Sequence, residues 1–103
     1  TPQLLKGSRY PIGGWQIEDF RTFTASTISY KKGAILYLGS DGFQDQMGGE
    51  KGKKYKSQKL HNLLTQISNM PLIQQKDVLQ NEFETWKSES PQTDDVCLVG
   101  VKL

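Results

Sequence analysis

Apolar residues in this chain gather in a few short segments separated by polar, glycine-rich stretches, and the spacing inside each segment predicts its conformation. The continuous run Ile35-Leu36-Tyr37-Leu38, inside a strand expected over residues 34–40, suits a strand covered on both faces. Lys31-Lys32-Gly33 before it reads as a hairpin turn, and the Thr-, Phe- and Ile-rich stretch from about Arg21 to Tyr30 as a partly exposed strand. Leu4-Leu5-Lys6 fits a further short strand, ahead of breaks at Gly7-Ser8-Arg9 and Pro11-Ile12-Gly13-Gly14. From Asp41 to Lys56 the chain reads as a loop, with Gly48, Gly49, Gly52 and four lysines.

Two helices are predicted next. Leu60, Leu63, Leu64 and Ile67 fall at i, i+3, i+4 and i+7 and make one apolar stripe, with Ser57 as the expected N-cap. The second helix starts near Asn69-Met70-Pro71, with Pro71 in the first turn where its missing N–H costs nothing. Leu72, Leu79, Phe83 and Trp86 form its stripe, and it ends around Lys87-Ser88. A last strand is expected over Val96 to Val101. Strands, a helical pair and a strand returning to the sheet make an α+β layout.

Composition narrows the class without naming a function. At 103 residues the chain is one domain or part of one, and its apolar fraction of 35% concentrates any core in the segments above. The net charge of +2 leaves no nucleic-acid footprint, because the lysines cluster in one loop rather than along a face with interleaved aromatics. One cysteine, Cys97, excludes an internal disulfide and fits a reducing compartment; inside an apolar strand it reads as a small core residue. No stretch approaches the roughly 20 apolar residues of a membrane span, and no signal-peptide pattern opens the chain, so a cytoplasmic location is expected. Thr1-Pro2-Gln3 begins like a cut point inside a longer protein.

The candidate chemistry is acidic. Leu36-Tyr37-Leu38-Gly39-Ser40-Asp41-Gly42 is an apolar run that stops at a carboxylate and a glycine, and Gln92-Thr93-Asp94-Asp95-Val96 is a carboxylate pair leading into another apolar run. Carboxylates at two strand ends on one sheet edge suit hard divalent cations, which take several oxygen ligands. Asp-Gly is also a common way to end a strand in a turn; the buried run before Asp41 is what would hold that carboxylate rigidly, with Gly42 keeping the turn free of a side chain. Alternation along a strand puts Asp94, Val96 and Leu98 on one face and Asp95, Cys97 and Val99 on the other. If the strand has begun there, only one aspartate aims at a given site, and the other caps a turn or bonds to backbone. Asp45, four residues after Asp41, is either a third ligand on the same side of a helical turn or a solvated loop residue.

Ser40-Asp41-Gly42 after an apolar strand, with Asp94-Asp95-Val96 near the C-terminus, resembles the last half of a metal-dependent type-2C (PPM) protein serine/threonine phosphatase, and more closely its bacterial SpoIIE-like branch. Pro11-Ile12-Gly13-Gly14, Asp45-Gln46, Gly48-Gly49, Lys53-Lys54, Trp86-Lys87 and Gln92-Thr93 extend the resemblance over nearly the whole chain. The resemblance implies part of an αββα sandwich of mostly antiparallel strands, with the helical pair between the last two strands. It implies a centre of two divalent cations, Mn²⁺ or Mg²⁺, at the edge of the sheets. Residue by residue, Asp41 and Asp94 match ligands of one metal, Asp45 matches an acidic position linked to an additional, weaker metal, and Gly42 matches a structural glycine at the site. The implied partner is a phosphorylated protein substrate, in related bacterial proteins often an anti-sigma-factor antagonist, with a sensor domain upstream. Such hydrolysis uses a metal-activated water and needs no protein nucleophile, in keeping with the lack of a Ser-His or Cys-Arg arrangement.

The family's remaining ligands sit in an N-terminal Asp-Gly-x-Gly-His or Asp-x-x-Gly-His segment that is not found in residues 1–103. The expectation is therefore a C-terminal portion of one phosphatase domain, inactive by itself and prone to self-association through uncovered strands. An inactive phosphatase-like module that binds a regulatory phosphoprotein is the alternative. Lys51, Lys53, Lys54, Lys56 and Lys59 read either as a solvated loop or as a flap that steers a phosphorylated substrate. His61, alone on a helix, reads as a solvated side chain, since ligand histidines come with partners. Gly48-Gly49-Glu50-Lys51-Gly52-Lys53-Lys54 lacks the first glycine and the Ser/Thr of a nucleotide-binding loop.

Overall fold

Strand β1, Ile35–Gly39, pairs antiparallel with β4, Leu98–Lys102, so that Leu36 lies opposite Val101 and Leu38 opposite Val99. The computed structural model describes Leu4 and residues 25–103. Between the two strands come a small antiparallel hairpin, β2 (Met47–Gly48) with β3 (Lys53–Lys54), and two helices, α1 (Ser57–Ile67) and α2 (Leu72–Lys87). This is the α+β order expected from the sequence, with the helical pair ahead of the returning strand. Apart from Leu4, the short strand expected over residues 4–6 and the breaks expected at residues 7–9 and 11–14 lie outside the described residues, as does the first part of the strand expected over residues 21–30.

The core joins the helices to one face of the sheet. Leu60, Leu64 and Ile67 of α1 are buried with Phe43, Tyr55 and Phe83, and Tyr37, Leu79, Val96 and Leu98 pack against them. Phe43 is the hub, its ring centroid 5.3 Å from those of both Tyr55 and Phe83. Edge-on and tilted contacts at this range suit the aromatic quadrupole.

Two buried glutamines organise this core. The Gln75 side chain is 2% exposed; its Oε1 accepts from the Tyr37 hydroxyl at 2.7 Å, and its Nε2 donates to the Met70 carbonyl at 2.9 Å. One side chain thus ties α2, the turn before it and β1 together. Gln75→Leu is expected to cost about 2 kcal/mol, because it strands the Tyr37 hydroxyl and takes the donor from the Met70 carbonyl; the shift of a urea unfolding midpoint measures it.

Several local expectations are corrected. Residues 25–30 form no strand, and Ile28 and Tyr30 are exposed; an extended segment needs a neighbouring edge and a covered face to hold it. Residues 41–56 are not wholly loop, since they contain the β2–β3 hairpin. Ser57 is the first helical residue rather than the cap: Lys56 takes that position at φ 83°, with no side-chain capping bond. Lys56 N–H is held instead by the Gln44 carbonyl at 2.8 Å. β4 begins at Leu98, two residues later than expected, so Cys97 precedes it and is exposed rather than in the core.

The sheet is covered on one face only among the described residues. Tyr37 and Leu98 meet the helices, while Leu36, Leu38, Val99 and Val101 on the opposite face are all exposed, Leu38 by 56%. The apolar run of β1 is suited to burial on both sides, and half of that burial is unmet here.

Candidate functional site

The end of β1 and the entry to β4 run side by side, and this brings the two acidic signatures together. Ser40 N–H donates to the Cys97 carbonyl at 2.9 Å, and Cys97 N–H donates back to Ser40 Oγ at 3.2 Å. Asp41 follows, exposed, and the chain turns at once, with Asp45 N–H donating to the Asp41 carbonyl at 3.0 Å. Gly42, in that turn, is buried against the other signature. A Cβ there would overlap the Asp95 carbonyl oxygen and lie 2.9 Å from its carbon. Close backbone approach, not an unusual φ, is what this position demands of glycine.

The aspartates occupy different local roles. Asp94 Oδ1 accepts from the Asp95 N–H at 2.7 Å, while the Asp94 carbonyl accepts from Gln92 Nε2 at 2.9 Å, so the segment closes on itself as a turn. Since β4 starts at Leu98, strand alternation does not separate Asp94 from Asp95; turn geometry places them. A carboxylate accepting one backbone bond keeps most of its lone pairs for another ligand. Asp45 Oδ1 lies 3.8 Å from Lys54 Nζ, a half-exposed ion pair. Pairs of this kind contribute little energy and yield readily to a stronger partner.

Among the described residues no three His, Cys, Asp or Glu side chains converge as a metal-binding group. The donors at hand are therefore right in kind and short in number. Oxygen ligands from Asp41 and Asp94 suit Mg²⁺ or Mn²⁺, yet an octahedral cation needs more than they supply. His61 is half-buried on α1 and belongs to no such group among the described residues.

A second buried glutamine positions this region, and no periodicity marks it. Gln46 is fully buried; its Nε2 donates to the Pro91 carbonyl at 2.9 Å and to the Met47 carbonyl at 3.0 Å. The Gln46 carbonyl accepts from Tyr55 N–H at 3.0 Å and from Trp86 Nε1 at 2.8 Å. The Asp41 turn, the hairpin, α2 and the segment leading to Asp94 thus meet at one residue. Only its place in an acidic, glycine-rich motif could have drawn attention to it.

Tyr55 closes the other side of this cluster. Its hydroxyl donates to Glu82 Oε2 at 2.8 Å, and burial, then the bond to and charge of Glu82, push its pKa up; burial also raises that of Tyr37. A raised folded-state pKa means stability fully present below the unfolded value near 10.0 and lost as pH climbs through the folded one. Stability is therefore expected to fall above about pH 10, and to fall less steeply in a Tyr37→Phe, Tyr55→Phe double variant; denaturant midpoints at neutral and alkaline pH check it.

Against this geometry the comparisons with known proteins are specific. The family model for stage II sporulation protein E (SpoIIE) matches residues 1–103. Among solved structures, the SiaA-PP2C domain of Pseudomonas aeruginosa is similar, with a TM-score of 0.65 and 30% sequence identity. That match covers 67% of this chain and 28% of the other, so this chain spans well under half the length of its structural relative. No curated protein matches the sequence.

Proposed function

Because the chain belongs to the SpoIIE family, we propose that it is the C-terminal portion of a bacterial metal-dependent phosphoprotein phosphatase domain, acting in signal transduction on phosphoserine or phosphothreonine. One observation carries the reading: Gly42 packs directly on the Asp95 backbone, which sets the Asp41 turn beside the Asp94-Asp95 turn at one end of the sheet. Asp41 and Asp94 would hold one divalent cation, with Asp45 available to an additional one. When bound, a pair of such cations supplies hydroxide near neutral pH and offsets charge on the phosphoryl oxygens. The chain's own contribution is positional. β1 fixes Asp41, the Asp94 turn is braced through Gln46 and Pro91, and Gly42 lets the two approach. The substrate would be a phosphorylated regulator such as an anti-sigma-factor antagonist, presented to a domain governed by an upstream sensor.

The test is hydrolysis of a small phosphate ester with millimolar Mn²⁺. The 103-residue chain is expected to show none, and a domain extended to supply further carboxylates is expected to turn over and to lose activity in Asp41→Asn. Turnover by the 103-residue chain alone would overturn the half-site. The absence of three converging donors among the described residues also favours a second reading, an inactive phosphatase-like module that binds a regulatory phosphoprotein. An extended domain that binds the phosphoprotein, with no Mn²⁺-dependent thermal stabilisation, would establish it.

The exposed sheet face has a consequence for the chain in isolation. Leu36, Leu38, Val99 and Val101 form a contiguous apolar surface of the kind that a second sheet covers in the sandwich. The isolated chain is expected to self-associate through it, and a Leu38→Lys, Val99→Lys variant to run as a monomer in light scattering.

A further inference from the structure

The lysine-rich segment after the Asp41 turn is a braced hairpin rather than a loose loop, and it concentrates five of the chain's thirteen Lys and Arg residues. Five lysines and one glutamate give residues 50–59 a net +4, against +2 for the whole chain. Two of these lysines are already engaged. Lys59 Nζ sits 4.0 Å from the Trp86 ring centroid and 4.4 Å from that of Tyr55, and Lys54 pairs with Asp45. Lys51, Lys53 and Lys56 are exposed.

The hairpin is fixed from below. Gly48 and Gly49 pack on Trp86 so closely that a Cβ on Gly49 would lie 2.7 Å from the indole, and Gly49 N–H donates to the Trp86 carbonyl at 3.0 Å. Tyr55 N–H bonds to Gln46 and Lys56 N–H to Gln44, which anchors the far strand to the Asp41–Asp45 turn. Lysines on a rigid base next to a candidate phosphate-handling site present a fixed positive field, whereas a mobile loop would average it away.

We propose that this hairpin is a docking surface for acidic residues flanking the phosphorylated side chain of a protein substrate, with Lys51, Lys53 and Lys56 as the contacts. The inference rests on the phosphatase reading for its choice of partner and deepens it by assigning a charge preference. Glu50 is the one carboxylate in the segment, so the surface selects acidic over basic flanks. Nucleic acid is the less favoured partner, because among the described residues no exposed aromatic accompanies these lysines: Tyr55 is buried, and Trp86 is half-buried under Lys59.

The experiment uses fluorescein-labelled phosphoserine peptides with Asp/Glu or with Lys flanks, titrated with the 103-residue chain and followed by anisotropy. The acidic-flanked peptide is expected to bind, to weaken as salt is raised, and to associate about tenfold more slowly with a Lys51→Glu, Lys53→Glu variant. An unphosphorylated peptide with the same acidic flanks is expected to show the same dependence on these lysines, which separates this proposal from the phosphatase reading. Equal binding of both flank types, salt-independent binding, or no effect of the reversal would overturn the docking surface while leaving hydrolysis of the small ester to judge the enzyme. Tighter lysine-dependent binding of single-stranded DNA would overturn the choice of partner.

Discussion

Gly42→Ala is expected to lower stability by about 3 kcal/mol, the upper end of what overpacking usually costs, and to separate the two acidic turns. The added methyl meets backbone, the carbonyl of Asp95, rather than the tip of a side chain that could swing away. Relief requires the end of β1 to move from the β4 entry, at the expense of the hydrogen bonds between Ser40 and Cys97. Gly33→Ala is the control. Gly33 sits at φ 94° with open space around its Cβ position, so only backbone strain of about 1 kcal/mol is expected there. Equilibrium unfolding in urea separates the two. In an extended domain, Gly42→Ala should also abolish stabilisation by Mn²⁺, whereas Gly33→Ala should preserve it. Equal costs at the two positions would show that the close approach at Gly42 does not hold the site together.

Trp86→Ala is expected to cost about 3 kcal/mol, the low end for a large aromatic because Trp86 is only partly buried. Four contacts go at once: the Nε1 bond to the Gln46 carbonyl, the surface under Gly48 and Gly49, the edge contact with Tyr55 at 5.4 Å, and the ring beneath Lys59. The hairpin should then come loose before the helices do. Hydrogen exchange reads this directly, as faster exchange at Gly49 and Tyr55 N–H with little change in the middle of α1. Trp86→Phe keeps most of the packing and removes only the indole donor, for about 1 kcal/mol. If both variants lose stability equally, the hydrogen bond rather than the packing braces the hairpin.

These expectations involve contacts that the chain's local patterns did not announce. The stripe Leu60, Leu64, Ile67 is legible because a helix brings i, i+4 and i+7 to one side whatever surrounds it. The run ending at Asp41 is legible because a continuous apolar segment must be covered, and a carboxylate must end it. Gln46 and Gln75 were not legible. A glutamine is ordinarily a surface residue; Gln75 is buried here because a carbonyl and a phenol from other segments satisfy its amide, and Gln46 because the Pro91 and Met47 carbonyls take its Nε2, its Oε1 being left without a partner. The hairpin was equally hidden, since its strands are two residues long and exist by virtue of Trp86 and Gln46. Ser57 shows the converse: a good capping residue is displaced because the Gln44–Lys56 bond decides where the chain enters α1.

The sequence by itself determined the α+β order, the core stripe of α1, the strand that presents Asp41, and membership of the SpoIIE family through motifs spread along the chain. Each of these follows from short-range periodicity or from residue types at fixed spacing. Tertiary structure alone decided that the Asp41 and Asp94 turns lie side by side, that Gly42 is the contact between them, that the lysines stand on a braced hairpin, and that one sheet face is left uncovered by the described residues. Those outcomes depend on which distant backbone supplies a partner. Residues 42 and 95 are neighbours only because β1 and β4 pair across the whole helical insertion between them.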